Sequence, residues 1–180
     1  MSDSNLNCIE EPNNIVKHKY QKVNNVIYTI TKSLQENFIK FEQIANYIYK
    51  YFGDYHTENI YKNAFAIEFE KEGYTVEIEK EIDVMYEGKK CGYIKADLLL
   101  EKENEKLVIE IKRNSIIKHT QVGQLAKYLS ALDYSEGFVI NLINNYPVCY
   151  YVFRQKVDNE YFYIVYDGKK VDRILNVGVN

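Results

Sequence analysis

Asp97 and Glu110 are the residues of this chain whose type and spacing could do chemistry. They lie in YIKADLLLEKENEKLVIEIKR, residues 93–113, where two apolar runs flank the polar turn EKENEK. A turn centred between Glu103 and Asn104 sets Asp97 opposite Glu110, Lys95 opposite Lys112 and Leu99 opposite Val108. Alternation along a strand puts these six side chains on one face. The other face carries Ala96, Leu98 and Leu100 against Ile111, Ile109 and Leu107, and must pack on a core. Like charges directly opposed at about 4.5–5.5 Å destabilise a strand pair, so the two carboxylates need a counterion. The lysines could neutralise them, leaving an exposed, salt-bridged sheet end. A divalent cation could also sit between them, because Mg²⁺ takes one or two carboxylates and keeps waters for a phosphate-bearing substrate. Geometry alone leaves both answers open, and a slip of one residue in register would abolish the pairing.

The surrounding elements must position that hairpin. The first 25 or so residues are polar and Asn-rich, with Pro12, and read as loosely docked. Leu34, Phe38, Phe41, Ile44, Ala45, Ile48 and Phe52 recur at helical spacing, which predicts a helix from about Val26 to Phe52. Thr57 can cap a second helix with Glu58 in its first turn, and Gly73 supplies its stop. Alternation then predicts two short strands, Tyr74–Ile78 and Ile82–Tyr86, before the hairpin. His119–Leu132 reads as a helix that buries Val122, Leu125 and Leu129, and Gly137–Leu142 as a buried strand. VCYYVFR and YFYIVY form two tyrosine-rich strands joined across VDNE. The order is that of an α/β or α+β sheet with helices packed on it.

The 180 residues suit one domain, 46% hydrophobic and 27% charged. A formal charge of −3 gives no global signal for nucleic-acid binding, so such a partner would need a local basic strip, with Lys112, Arg113 and Lys118 as candidates. No apolar run reaches the roughly 20 residues that span a bilayer, and no signal peptide opens the chain, so an intracellular, non-secreted protein is expected. The three cysteines, Cys8, Cys91 and Cys149, are odd in number and widely spaced, which fits free thiols rather than a zinc site or disulfide framework.

Asp97 followed by Glu110-Ile111-Lys112 has the D…(D/E)xK form of the PD-(D/E)XK nuclease superfamily, with Ala96 in place of the proline. From Gly53 to Leu142 the chain resembles the GxxExxY branch, also described as GxxR proteins. YHTENIY supplies Glu58 and Tyr61, with Tyr55 where the motif glycine belongs. The family pattern ALxxEFxxxGxxVxxExxxxVxYxGxxxGxxRAD corresponds to AFAIEFEKEGYTVEIEKEIDVMYEGKKCGYIKAD, in which Lys95 replaces the arginine. GQLAKYL supplies Gln124 and Tyr128, and FVINL ends at the Asn141 region.

The resemblance implies a restriction-endonuclease-like α/β core, a central mixed sheet flanked by helices. It places a polar extension at 1–35, the nuclease-like core at 36–144 and an accessory β-hairpin of the same domain at 145–180. It implies a Mg²⁺- or Mn²⁺-dependent nuclease, with DNA favoured over RNA. Asp97, Glu110 and the carbonyl of Ile111 would hold the metal, with Glu58 adding a carboxylate directly or through water. Lys112 would attend the attacking water and the phosphate, and Gln124 would reach the same cleft. Lys95, Arg113 and Lys118 would contact nucleic acid, although lysine at 95 lacks the bidentate fork of arginine. Many relatives work as dimers, so a homodimer is an assembly open to this chain. The rival reading is a catalytically silent protein of the same fold that serves as a nucleic-acid-binding or protein-interaction module, for which the acidic balance and a tyrosine-rich sheet edge would be suited.

Overall fold

A computed structural model describes residues 21–23, 26–28, 30–114, 117, 119–143 and 146–176. Lys118, Cys8, Pro12 and His18 lie outside the described residues. Strands β1 (Gln21–Val23) and β2 (Val26–Tyr28) pair with each other. Helix α1 (Lys32–Phe52) therefore starts later than the periodicity suggested. Thr31 caps it, its hydroxyl accepting from the Leu34 amide at 3.2 Å, and the β-branched and aromatic Val26, Ile27 and Tyr28 pair as a strand instead. Helix α2 (Glu58–Lys71) follows a short loop and stops before Gly73, whose φ of 87° closes the turn. Helix α3 (His119–Leu132) has the predicted bounds.

The remaining strands form one sheet in the order β3 (Thr75–Tyr86), β4 (Lys89–Lys102), β5 (Glu105–Lys112), β6 (Glu136–Ile143), β7 (Tyr146–Val157), β8 (Glu160–Tyr166) and β9 (Val171–Leu175). All neighbours are antiparallel except β5 and β6, which are parallel and joined through α3. The tail thus adds three strands to the same sheet rather than a two-stranded hairpin alone. This is the mixed α/β class, a mostly antiparallel sheet flanked by helices. No helix among the described residues is long and apolar enough to cross a membrane.

Helices α1 and α2 cover one face. Leu34, Phe38, Phe41, Ala45 and Ile48 make a single stripe on α1, and with Tyr61, Phe65 and Phe69 of α2 they pack on Leu98, Leu100, Ile109, Phe138 and Tyr151. Helix α3 covers the other face, where Val122, Leu125, Ala126 and Leu129 meet Leu99, Val108, Val139 and Val152. Gly137 permits that approach: a Cβ there would stand 2.6 Å from the Val108 carbonyl and 2.9 Å from Leu125.

One interruption shapes the site. Strand β3 is continuous where two short strands were expected, and its register with β4 holds from Thr75↔Glu101 to Val84↔Gly92, yet the Glu79–Asp97 pair is missing. Glu79 takes a φ of 55°, a left-handed value that breaks the extended pleat. The alternation restarts in opposite phase beyond it. Leu98 and Leu100 lie in the core under α1 and α2, whereas Ala96 and Ile94 pack on the α3 side. The expectation that Ala96 shares a face with Leu98 is therefore corrected.

Candidate active site

The β4–β5 ladder runs from Lys102↔Glu105 to Leu98↔Ile109, which confirms the register read from the turn as far as Leu98. There the strands part, while β5 continues beside β6 to Lys112↔Asn141. Asp97 and Glu110 are therefore not a backbone pair. Their side chains fill the fork: Asp97 Oδ2 accepts from the Ile111 amide at 2.9 Å, and Glu110 Oε1 accepts from the Asp97 amide at 3.3 Å. Each carboxylate takes up an amide that the ladder has released.

Lys112 stands over both acids, its Nζ 2.7 Å from Glu110 Oε2 and 3.4 Å from Asp97 Oδ2. Glu110 is 1% exposed. Burial, and then the Asp97 charge, push its carboxyl up to about 7 in spite of the lysine. Burial pulls the Lys112 ammonium down, but Glu110, Asp97 and Glu58 outweigh it and hold the charge. Asn141, buried at the end of β6, accepts from the Asn114 amide at 2.9 Å and donates to the Asn114 carbonyl at 2.6 Å, which fixes the chain as it leaves Lys112.

Glu58 opens α2, half-buried near these groups. Its carboxyl is raised by burial, lowered by Lys112 and raised by Asp97, so it shares their field without a hydrogen bond to either. Among the described residues no three His, Cys, Asp or Glu side chains gather closely enough to hold a metal ion. The geometry brings Asp97 and Glu110 together, with Glu58 in their field. Gln124 Nε2 donates to the Tyr128 hydroxyl, which donates to the Lys95 carbonyl at 2.7 Å. It adjoins the fork from α3 and holds no carboxylate. Lys95 does not face Lys112: the phase reversal turns it to Glu79, 2.6 Å away. Arg113 is also redirected. Its guanidinium donates to the carbonyls of Asp54 and His56 and lies 5.4 Å from the centre of the Tyr61 ring, tying the α1–α2 loop to β5 rather than standing free for phosphate.

Sequence reasoning passed over Lys62 and Glu79. Lys62 is 6% exposed, with Nζ 3.0 Å from Asp97 Oδ1 and 2.9 Å from Glu79 Oε1. The available signal was a lysine inside the apolar stripe of α2, one turn after Glu58 and one turn before Ala66. Glu79 is held down at about 2 by hydrogen bonds from Lys95 and Lys62.

The donor chemistry at the fork fits a divalent ion. Two carboxylates share one end of the hairpin, one of them buried and raised by the other, and a cation between them answers that repulsion. Asp97, Glu110 and the Ile111 carbonyl would hold it.

Among solved structures, the chain is similar to the crystal structure of SSO0001, with a TM-score of 0.41 and 20% identity over 57% of this chain and 50% of that one. It is also similar to Archaeoglobus fulgidus Hjc, a Holliday junction resolvase from an archaeal hyperthermophile, with a TM-score of 0.38 and 11% identity over 61% and 83% of the two chains. The chain spans about half the length of the first of these. No curated protein matches it. The family model of the PD-(D/E)XK nuclease superfamily matches residues 33–148, which include the fork and all three of its charged side chains, and the chain belongs to that superfamily.

Proposed function

We propose that this chain is a metal-dependent nuclease of the GxxExxY branch that hydrolyses phosphodiester bonds, with DNA favoured over RNA. The observation that carries the reading is the parted hairpin, where Asp97, Glu110 and Lys112 stand in mutual contact at the open end of β4 and β5. A salt-bridged sheet end would not require burial of Glu110 at 1% exposure.

Asp97, Glu110 and the Ile111 carbonyl hold Mg²⁺ or Mn²⁺ on this reading, with Glu58 close enough to bind through water. Such an ion supplies Lewis-acid polarisation of the phosphoryl oxygen and makes its water more acidic. Lys112, held against both carboxylates, places a positive charge beside the reacting phosphate and can orient the attacking water. Charge placed in advance where the transition state becomes more negative lowers the barrier without reorganisation. Glu58 and Gln124 approach the fork from α2 and α3 and can orient water there. Lys95, about half exposed at the rim, can meet the nucleic-acid backbone.

A second reading, a silent binding module of the same fold, is favoured by the ion pairs from Lys62 and Lys112 that already neutralise Asp97. Labelled single- and double-stranded DNA and RNA incubated with Mg²⁺, Mn²⁺ or chelator separate the two. Metal-dependent cutting, strongest on DNA, is expected of the nuclease. Retention of nucleic acid with no cutting in any metal would favour the binding module.

A further inference from the structure

The two oxygens of Asp97 face different partners. Oδ2 turns to β5, where the Ile111 amide and Lys112 meet it. Oδ1 turns to α2 and meets Lys62 at 3.0 Å. Two-metal sites place ions about 3.5–4 Å apart with a carboxylate shared between them. The outer ion of such a pair would need the Oδ1 side of Asp97, together with a further carboxylate facing it. Glu79 is a carboxylate on that side, with Glu58 nearby one turn before Lys62 on α2, and the ammonium of Lys62 already stands between Asp97 and Glu79, 2.9 Å from Glu79 Oε1.

That arrangement is built rather than incidental. Lys62 stands in the buried stripe of α2, beside Tyr61, Phe65 and Ala66. Glu79 adopts a left-handed backbone conformation uncommon for residues with a Cβ, and such a conformation persists where the surroundings over-determine it. Here its two oxygens are taken by Lys62 and by Lys95 at 2.6 Å. Among the described residues, no third carboxylate gathers with Asp97 and Glu110 to complete a larger metal site.

We infer that this chain binds a single divalent ion, and that Lys62, clamped between Asp97 Oδ1 and Glu79, supplies the second positive charge that another ion would otherwise bring. The inference rests on the nuclease reading of the fork. Lys62 acts as a positioning residue: it orients Asp97 towards β5 and closes the α2 side to cations.

Calorimetric titration of the full chain with Mn²⁺, beside Lys62→Met and Lys62→Arg variants, tests it. Wild type and Lys62→Arg are expected to bind one ion per chain. Lys62→Met, which frees Asp97 Oδ1 and Glu79, is expected to bind two, with a spin-coupled Mn²⁺ pair visible by electron paramagnetic resonance. Two ions in the wild type would overturn the inference while leaving metal-dependent cleavage intact, and this arm decides even if Lys62→Met fails to fold. A folded Lys62→Met that still binds one ion with unchanged affinity would also overturn it. Absence of both ion binding and cleavage in the wild type would overturn the nuclease reading itself, and this inference with it.

Discussion

Asp97 and Glu110 each accept a hydrogen bond at the other's strand: the Asp97 amide donates to Glu110 Oε1 at 3.3 Å, and the Ile111 amide to Asp97 Oδ2 at 2.9 Å. The two acids hold the strands at the point where backbone pairing ends. Their charge is thus bound up with the shape of the fork, and the first expectation concerns pH.

Glu110 is raised from 4.5 to about 7 by burial and by Asp97. The native state therefore binds its proton more tightly than the unfolded chain does. Stability from this group is full below pH 4.5 and is lost as pH rises towards about 7. Chemical denaturation without metal should show wild type losing on the order of 1–3 kcal/mol relative to Glu110→Gln between pH 5 and pH 8. Because a ligating carboxylate must be ionised, apparent Mn²⁺ affinity should rise over the same interval and then level off. Mn²⁺ affinity independent of pH between 5 and 8 would count against Glu110 as a ligand.

Arg113 serves two carbonyls at once, those of Asp54 and His56, through a planar fork that a lysine ammonium cannot reproduce. Arg113→Lys is expected to cost about 1–3 kcal/mol in stability. It should also open the loop between α1 and α2 to protease before the rest of the chain. Limited proteolysis with mapped cleavage sites checks this, and a loop no more susceptible than in wild type would refute the tie.

Gly137 offers a test of the fold that spares the charged groups. A methyl added there meets the Val108 carbonyl of β5 at 2.6 Å and Leu125 of α3 at 2.9 Å, so β6 must move off β5 and the Leu125 side chain must give way. Overpacking of this kind typically costs about 1–3 kcal/mol, and Gly137→Ala should lower the denaturation midpoint accordingly. An unchanged midpoint would mean that β5, β6 and α3 do not meet at Gly137 as described.

Much of this arrangement was legible in the chain. The polar turn at Glu103 and Asn104 fixes the hairpin register, and the stripe of α3 defines its bounds, because both are local signals of composition and period. What escaped depends on one residue's backbone. Glu79 has no glycine signature, yet its left-handed φ reverses the pleat, sends Ala96 to the other face and turns Lys95 away from Lys112. Alternation counted along β4 cannot reveal a break imposed from β3. Lys62 was passed over, and the loop contacts of Arg113 were not foreseen, for a related reason: a cation in sequence carries no mark of whether its partner is solvent, a distant carboxylate or a loop carbonyl. The strand β9 went unseen because VDRIL is short and mixed in character.

The most direct test of the central claim is the rate of cleavage of labelled DNA in Mn²⁺ by wild type, Asp97→Ala and Lys112→Ala, each first shown to be folded. The account predicts cutting that chelator abolishes and that both substitutions reduce by on the order of 10²–10³-fold or more. Cutting that persists in both variants at the wild-type rate, or that ignores the chelator, would contradict it.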